Sequence, residues 1–587
     1  MKNEISDDSI TCRRDICGKQ MSQIFCDPRI VIETYNHSEV INTIARADEI
    51  SRTTDLMMCG FVAYEAASAL NEKLSTKNPM NEIPLVWFAG FKSCYLQPRQ
   101  PIQNTDIAFN WTEDLDREAY ISSFNRIKDR LLNGDTYQVN LTARSKSAFI
   151  GDPLELYENM IYAQQGNHSF FIDTSKFSIL CASPELFFQT SDILITLAPM
   201  KGTMARGKTL KDDAASYQLL KTSEKEISEN LMIVDLIRND IGQICKFGSI
   251  TGQEIFKIER YPHLWQMTST IKGTLLDHVD LVSIFKALFP CGSVTGVPKV
   301  STMKIITELE NSPRGVYCGA VGTINYANKL RAYDFAVAIR TAVINKSTNL
   351  VTFGSGGGIT IQSNPNSEWK ELKLKLSPVR HDPLPDKLLE TMRYEPQSGI
   401  KNLQRHIDRL CSSLTYFNIP FVKVEIIDKL IAYCHTLEIL SRVRLTVDTL
   451  GIIEITSCDF MDDESSSVSL TLADEPIESN KLFLYHKYEN RSFYSNIKNS
   501  HPESDDVILF NGNGQLTETT TANIAVKIGG IWITPKVTCG LLLGVEREVL
   551  LENNQIIEGT VLASVLTKST ELAVFNSLRG WKSAFLI

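Results

Sequence analysis

The sequence predicts a mixed α+β protein of two units: a large two-layer β-sandwich with helices, then a smaller α/β unit. Three observations carry this. Runs with helical spacing alternate with short apolar strand-like runs through most of the chain. The stretch SPVRHDPLPDK, residues 377 to 387, places three prolines in eleven residues and breaks both patterns. The 587 residues, about four domains at roughly 150 each, show no internal repeat and no low-complexity tract. The boundary therefore falls between 1–380 and 381–587.

The elements follow in order. EKEISENLMIVDLIRNDIGQI (224–244) has apolar residues at helical spacing, and KVSTMKIITELE (299–310) reads as a second helix. YCGAVGTINY (317–326), FAVAIRTAVI (335–344) and LVTFGSG (350–356) read as buried strands. Behind the boundary, LLETMRY predicts a strand, LQRHIDRLCSSLTYF a helix, and further strands follow. MDDESSSV (461–468) predicts a solvated loop.

Hydrophobic residues make up 43% and charged residues 22%, which excludes a disordered chain, a collagen-like repeat and a small disulfide scaffold. The net charge of −9 gives no bulk attraction for nucleic acid or an anionic membrane. An anionic substrate would need a local attractor. The 13 cysteines include no Cys-x-x-Cys and no Cys/His cluster at zinc spacing, so buried thiols in a reducing compartment are expected. The N-terminal MKNEISDDSITCRRD lacks the apolar core of a signal peptide. No uncharged apolar run approaches the ~20 residues that span a bilayer. A cytoplasmic protein without nucleic-acid or membrane partners is the expectation.

Glu226 and Glu229 lie three residues apart on one predicted helix, and Glu368 and Glu371 on another, with Lys375 a turn further on. Two such pairs could hold a hard cation such as Mg²⁺, or could each lie on a solvated helix face. The glycine run GSGGGIT (354–360) could cradle a carboxylate or phosphate, or could be a flexible turn. CGSVTGVPK (291–299) leads into a helix whose N-terminus is a second anion candidate. Neither is a nucleotide-binding P-loop.

APMKGTMARG, LMIVDLIRNDIG, FPCGSVTGVPKVSTMKIITELE, YCGAVG, FAVAIRT and GSGGGITIQSNPNSEWKELKLK occur in the order seen in chorismate-utilising enzymes. The resemblance covers residues 55–378, with GFVAYEAASAL (60–70) and LVWFAGF (85–91) similar to the family's N-terminal portion. It implies an N-terminal part of about 1–110 and a chorismate-binding core of 111–378. Pro199-Met200-Lys201-Gly202-Thr203 resembles the aminodeoxychorismate synthase component I members; anthranilate synthases usually carry Ala in place of the Lys. The resemblance implies that Lys201 is a nucleophile on the chorismate ring and that Glu185 of Ser183-Pro184-Glu185 is the general acid. It implies Mg²⁺ ligands at Glu229 and Glu371, with Glu226 and Glu368 as close partners. It implies substrate contacts from Arg340, Tyr317, Gly357, Gly358, Thr295, Lys375 and His263, the last of which could equally be a packed histidine. Cys291 departs from the family's usual Gly and is expected to lie apart from the chemistry.

The second unit carries Lys487 beside His486, Glu518 in a hydroxyl-rich run, GLLLGVEREVLLE and Arg409 in LQRHIDRL. A lysine, a carboxylate, an arginine and a helix N-terminus are what pyridoxal phosphate requires. H-x-x-R-L (406–410), H-K (486–487), E-T-x-x-x-N (518–523), L-x-G-V-x-R (542–547) and N-S-L-R-G (576–580) resemble the fold-type IV pyridoxal-phosphate enzymes over 387–587. That implies Lys487 as Schiff-base lysine and Glu518 as partner of the pyridine nitrogen. Arg409, Ser577 and the backbone of Gly544 and Val545 become phosphate ligands, with Arg491 and Tyr494 in the pocket. Glu546 stands where some relatives have a Thr, and its side chain is expected to point outward.

The fusion favours a bifunctional route to 4-aminobenzoate for folate synthesis. A synthase half aminates chorismate, and an aminodeoxychorismate lyase half releases pyruvate. An aminotransferase or a non-catalytic module remains open for the second half. No G-x-C-x-G glutaminase turn occurs, so ammonia is expected from a separate amidotransferase subunit or from solution. Fold-type IV enzymes are commonly dimers, which makes a homodimer through the second unit a candidate arrangement.

Overall fold

The computed structural model describes residues 10–16, 20–99, 109–375, 385–461, 467–567 and 569–587. Contacts divide the chain into two compact units, Met1–Arg206 with Ser216–His381, and Gly207–Ala215 with Asp382–Ile587. Most of the SPVRHDPLPDK stretch and of the MDDESSSV loop lies outside the described residues. The assignment of Gly207–Ala215 to the second unit had no counterpart in the sequence reading.

The first unit is built on one 18-stranded sheet. Its ladders are antiparallel, and they run as a ribbon that folds over on itself. Phe177–Ser183, His168–Asp173, Thr11–Ile16, Met21–Thr34, Val86–Pro98, Met57–Val62, Ala320–Ala327 and Leu330–Val337 pair in that succession. The fold-over buries Phe61, Trp87, Phe91, Phe170 and Phe177 between two layers. The Phe61 and Trp87 rings each meet Phe177 edge-on, at 5.8 and 5.9 Å. Helices cover the outer faces: Val40–Thr53, Glu224–Gly242 and Leu281–Leu288 supply one apolar cluster. Arg117–Leu132, Lys299–Leu309 and Pro365–Leu374 supply another.

The predicted helices form at Glu224–Gly242 and Lys299–Leu309. The run read as one strand over 335–344 is two, Leu330–Val337 and Thr341–Asn345. Arg340 between them has φ +51°, which interrupts the ladder. The glycine run, read as a possible turn, is interior strand. Leu350–Ile359 pairs with Gln138–Ala148 residue by residue, Gly357 opposite Leu141 and Gly358 opposite Asn140. Glycine is needed for close approach. A Cβ on Gly354 would stand 2.3 Å from the Tyr317 ring.

The second unit has a four-stranded and an eight-stranded sheet. Lys387–Glu395 and Ser441–Asp448 pair in the smaller one, which packs on the amphipathic helix Leu403–Phe417. The larger sheet mixes parallel and antiparallel pairs. Val468–Leu472 runs parallel to Asp506–Phe510 and Gly580–Leu586, while Asn523–Ile528 pairs antiparallel with Leu572–Asn576. Among the described residues, no helix is long and apolar enough to cross a membrane, and the twelve described cysteines are free thiols.

Candidate functional site

In the first unit, two capped helices aim carboxylates into one cavity. Ser223 caps Glu224–Gly242 by accepting from the Glu226 N–H at 3.3 Å, so Glu226 sits in the first turn. Ile233, Val234, Ile237 and Ile241 anchor the same helix in the core and bury Glu229. Asn364 caps Pro365–Leu374 at Asn366 and Ser367, with proline in the first turn. Glu226, Glu229, Glu368 and Glu371 all line the cavity. None lies on a solvated helix face.

Burial, then repulsion from Glu229, pushes Glu226 up to about 7. Burial also raises Glu229. For Glu371 burial is outweighed by Lys375, whose Nζ lies 2.6 Å away, so its pKa falls. The Lys225 ammonium stands 3.1 Å from Glu368, 3.6 Å from Glu229 and 3.7 Å from Glu226. Among the described residues no three acidic, Cys or His side chains are already spaced as a metal cage. The donor set still fits a hard divalent cation. It is oxygen only, lines an accessible cavity, and carries more negative charge than Lys225 neutralises.

Lys201 lies on the strand Met200–Ala205 and is 9% exposed. Its pKa is lowered, by burial first, with Glu229 only partly opposing. Glu185, 2% exposed, is pushed up to about 7 by burial. Its carboxylate accepts from the Met200 N–H at 3.3 Å. A lysine tuned toward neutrality beside a carboxyl tuned toward protonation has the electrostatics that a nucleophile and an acid require. Cys291 is not remote from it, because its Sγ lies 4.0 Å from Glu185 Oε1 and 3.2 Å from Ser293 Oγ.

Arg340, Tyr317, Gly358 and Lys375 line the same cavity. The left-handed backbone at Arg340 turns its guanidinium inward, where Nη1 donates to the Lys375 carbonyl. Burial lowers its pKa to about 10. Three expected substrate residues are placed differently. Thr295 lies behind the lining, its hydroxyl donating to the Cys291 carbonyl at 3.1 Å. His263 is half-buried and outside the lining. Gly357 faces the carboxylates, since a Cβ there would lie 3.4 Å from Glu368 Oε2.

The sequence reading missed Gln138. It is 0% exposed, and neither polar atom of its amide has a hydrogen-bond partner. That is a costly state unless a ligand completes it. It shares a strand face with Asn140, which lines the cavity. Polar residues at period two along Gln138–Arg144 were the available signal. A Cβ on Gly358 would stand 2.6 Å from Gln138 Nε2 and 3.2 Å from Lys201 Nζ. Gly358→Ala is therefore expected to lower kcat/KM for turnover in this cavity by about 10²-fold by displacing both groups. Circular dichroism should show an intact fold; undiminished activity would remove Gly358 from the site.

In the second unit a cavity of about 340 Å³ collects Lys487, Arg409, Glu518, Gly544, Val545 and Ser577. Burial, then the Arg409 charge, lowers Lys487 to about 7. Glu518 is raised to about 7 by burial, although Tyr494 Oη at 2.9 Å and the Leu542 N–H at 3.1 Å both donate to it. Arg409 is gripped by Glu390 at 2.8 and 2.6 Å. His406 joins Glu390 to Ser577, with 2.7 Å on each side. Glu390 and His406 thus orient two expected phosphate ligands. His406 was legible in the H-x-x-R motif; Glu390 carried no signal.

Gly544 precedes the helix Val545–Glu552, and a Cβ on it would collide with Asn523 Oδ1 at 2.0 Å. This Cβ-free helix entrance, with Ser577 and Arg409 nearby, fits a phosphate, and Lys487 with Glu518 fits an aldehyde-bearing pyridine. Glu546 lies outside the cavity lining, as expected for a side chain directed away from it. It is buried rather than solvated, paired to Lys401 at 3.2 Å.

Comparison with known proteins places both cavities in families. Residues 89–381 match the family described as chorismate binding enzyme, and residues 387–584 match amino-transferase class IV. The chain is an enzyme of the chorismate-binding family with an amino-transferase class IV domain behind it. It is similar to anthranilate synthase component 1 of Acinetobacter calcoaceticus, 37% identical over 45% of this chain and 53% of the relative. It is also similar to aminodeoxychorismate synthase component 1 of Bacillus subtilis, 34% identical over 50% of this chain and 60% of the relative. The chain thus spans between half and two thirds of the length of these two relatives. The crystal structure of anthranilate synthase component I from Streptococcus pneumoniae shares the fold, at TM-score 0.53 and 23% identity, over 61% of this chain and 91% of that one.

Proposed function

We propose that the chain makes 4-aminobenzoate from chorismate in two steps: amination to 4-amino-4-deoxychorismate in the first unit, and release of pyruvate in the second. The observation that carries this is Lys201, a buried amine of lowered pKa beside Glu185. Lys201 Nζ attacks C2 of the ring while Glu185 protonates the departing 4-hydroxyl. Ammonia then bonds at C4 and expels the lysine, which leaves as the neutral amine once a proton is returned. The Gln138 amide, behind Gly358 and outside the cavity lining, leaves a donor and an acceptor unpaired close to Lys201. Arg340 and Lys375 supply the positive charge for chorismate's carboxylates. Glu226, Glu229, Glu368 and Glu371 would hold Mg²⁺, which attracts a carboxylate as a Lewis acid. The Gln138 amide and the lowered amine belong to the amination reading rather than to general anion binding.

In the second unit, pyridoxal phosphate when bound supplies an electron sink for charge developing beside an amine. Arg409, Ser577, Gly544 and Val545 would hold its phosphate, and Glu518 would hold a proton at its ring nitrogen. Lys487, near neutrality, accepts the ring proton of the substrate and passes it on.

Chorismate, Mg²⁺, pyridoxal phosphate and ammonia given to the purified chain should yield 4-aminobenzoate and pyruvate. Anthranilate would overturn the amination reading. Accumulated aminodeoxychorismate would replace the lyase with the aminotransferase alternative. Glutamine should replace ammonia only when an amidotransferase partner is added.

The pH profile follows from Glu185. The acid acts while protonated, so Glu185 sets a limb of the amination kcat/KM that falls as pH rises through about 7. Lys201 must be neutral, which sets a limb falling toward acid. Glu185→Gln should lose most activity and also the alkaline limb; a retained alkaline limb would assign it to another group.

A further inference from the structure

We infer that the cavity of the second unit selects a substrate carrying two carboxylates, and that Arg442, Arg491 and Arg579 make the selection. The inference rests on reading that cavity as the pyridoxal-phosphate site. Six cationic side chains line it: Arg409, Arg442, Arg444, Lys487, Arg491 and Arg579. Glu518 is its one lining carboxylate. Arg409 is matched by Glu390, and Arg444 by Glu489 at 2.9 Å. Lys487 is brought near neutrality by burial among these charges. The other three have no ion pair among the described residues. Arg491 donates to the Thr520 carbonyl at 3.0 Å and lies 4.1 Å over the Tyr494 ring; its charge acts on Glu518 without an ion pair to it.

The three come from separate elements. Arg442 lies on Ser441–Asp448 two residues from Arg444, so both side chains share a sheet face with Thr391, which is opposite Arg444 and also lines the cavity. Arg491 immediately precedes the helix Ser492–Ser500. Arg579 lies in the turn between Leu572–Asn576 and Gly580–Leu586. Three like charges around one cavity repel unless anions join them. A phosphate is served by the helix entrance at Gly544, by Ser577 and by Arg409. An ordinary amino acid brings a single carboxylate beside its amine, which leaves a surplus of cations. A dicarboxylate removes it, and arginine is suited to bidentate carboxylate pairing. The amine made in the first unit, which keeps both carboxylates of chorismate, is such a molecule.

The test uses the full chain loaded with pyridoxal phosphate and two probes, benzene-1,3-dicarboxylate and benzoate. Half-saturation is read from the cofactor's visible absorbance and from inhibition of pyruvate release. The dicarboxylate should bind at least about tenfold tighter than benzoate. Arg442→Gln and Arg579→Gln should each erase most of that ratio and raise KM about tenfold, with kcat changed much less. Arg442→Lys should restore part of it. Both residues are exposed, so unchanged melting temperatures check the fold. Equal binding of the two probes, or a ratio untouched by the Gln variants, overturns the inference. Discrimination without pyruvate release sinks the lyase reading and leaves this one standing. Pyruvate release without discrimination sinks this one alone, and failure to take up the cofactor sinks both.

Discussion

Lys201→Ala is expected to reduce amination of chorismate by at least about 10³-fold, the scale on which removal of a catalytic nucleophile acts. The size follows from where the amine sits. Burial lowers its pKa, which favours the neutral amine that the proposed attack needs, and raises that of Glu185, the acid of the same proposal. Lys201→Arg should not rescue, because a guanidinium stays protonated. Stability should not suffer. A buried amine makes a net unfavourable contribution, and alanine removes it with little loss of packing. The measurement is single-turnover conversion of chorismate with ammonia, alongside thermal unfolding. Amination within tenfold of the unmodified chain, in a folded protein, would leave Lys201 a structural residue and return the first unit to general chorismate chemistry.

Lys487→Ala should stop pyruvate release by a similar factor while leaving amination intact. Its pKa near 7, set by burial and by Arg409, suits it to take and return a proton at neutral pH. Two readouts separate this from general damage. The visible absorbance of bound cofactor should disappear, and the amine made in the first unit should accumulate in proportion to chorismate consumed. Loss of both reactions together would point to misfolding. Unchanged pyruvate release would remove the lysine from the mechanism.

Much of this could be read in the chain because it is local. The helices Glu224–Gly242, Lys299–Leu309 and Leu403–Phe417 are set by apolar spacing, and the first also by its Ser223 cap. The i,i+3 glutamate pairs were visible as spacings on a helix. What spacing could not say was which way each face turned. The four glutamates needed the sheet, which brings two helices far apart in sequence to one cavity. The glycine-rich run 354–360 read equally as a flexible turn and as an anion cradle, because glycines carry no side-chain periodicity to read. Pairing to Gln138–Ala148 decided against the turn.

Residue identity set the chemical inventory: a lysine in PMKGT, a second lysine in YHKY, glutamates at helical spacing, and helices whose ends and apolar faces are written in consecutive residues. These survive because they depend on neighbours within a turn or two. The folded chain settled everything that depends on distant neighbours and on dielectric. It buried Lys201, half-buried Lys487 among other cations, and so moved their pKa values. It set Cys291 against Glu185, left the Gln138 amide unpaired, and placed Thr295 and His263 outside the lining. It also gathered arginines from three elements around one cavity. Desolvation and charge proximity are properties of packing between segments, and no window along the chain contains them.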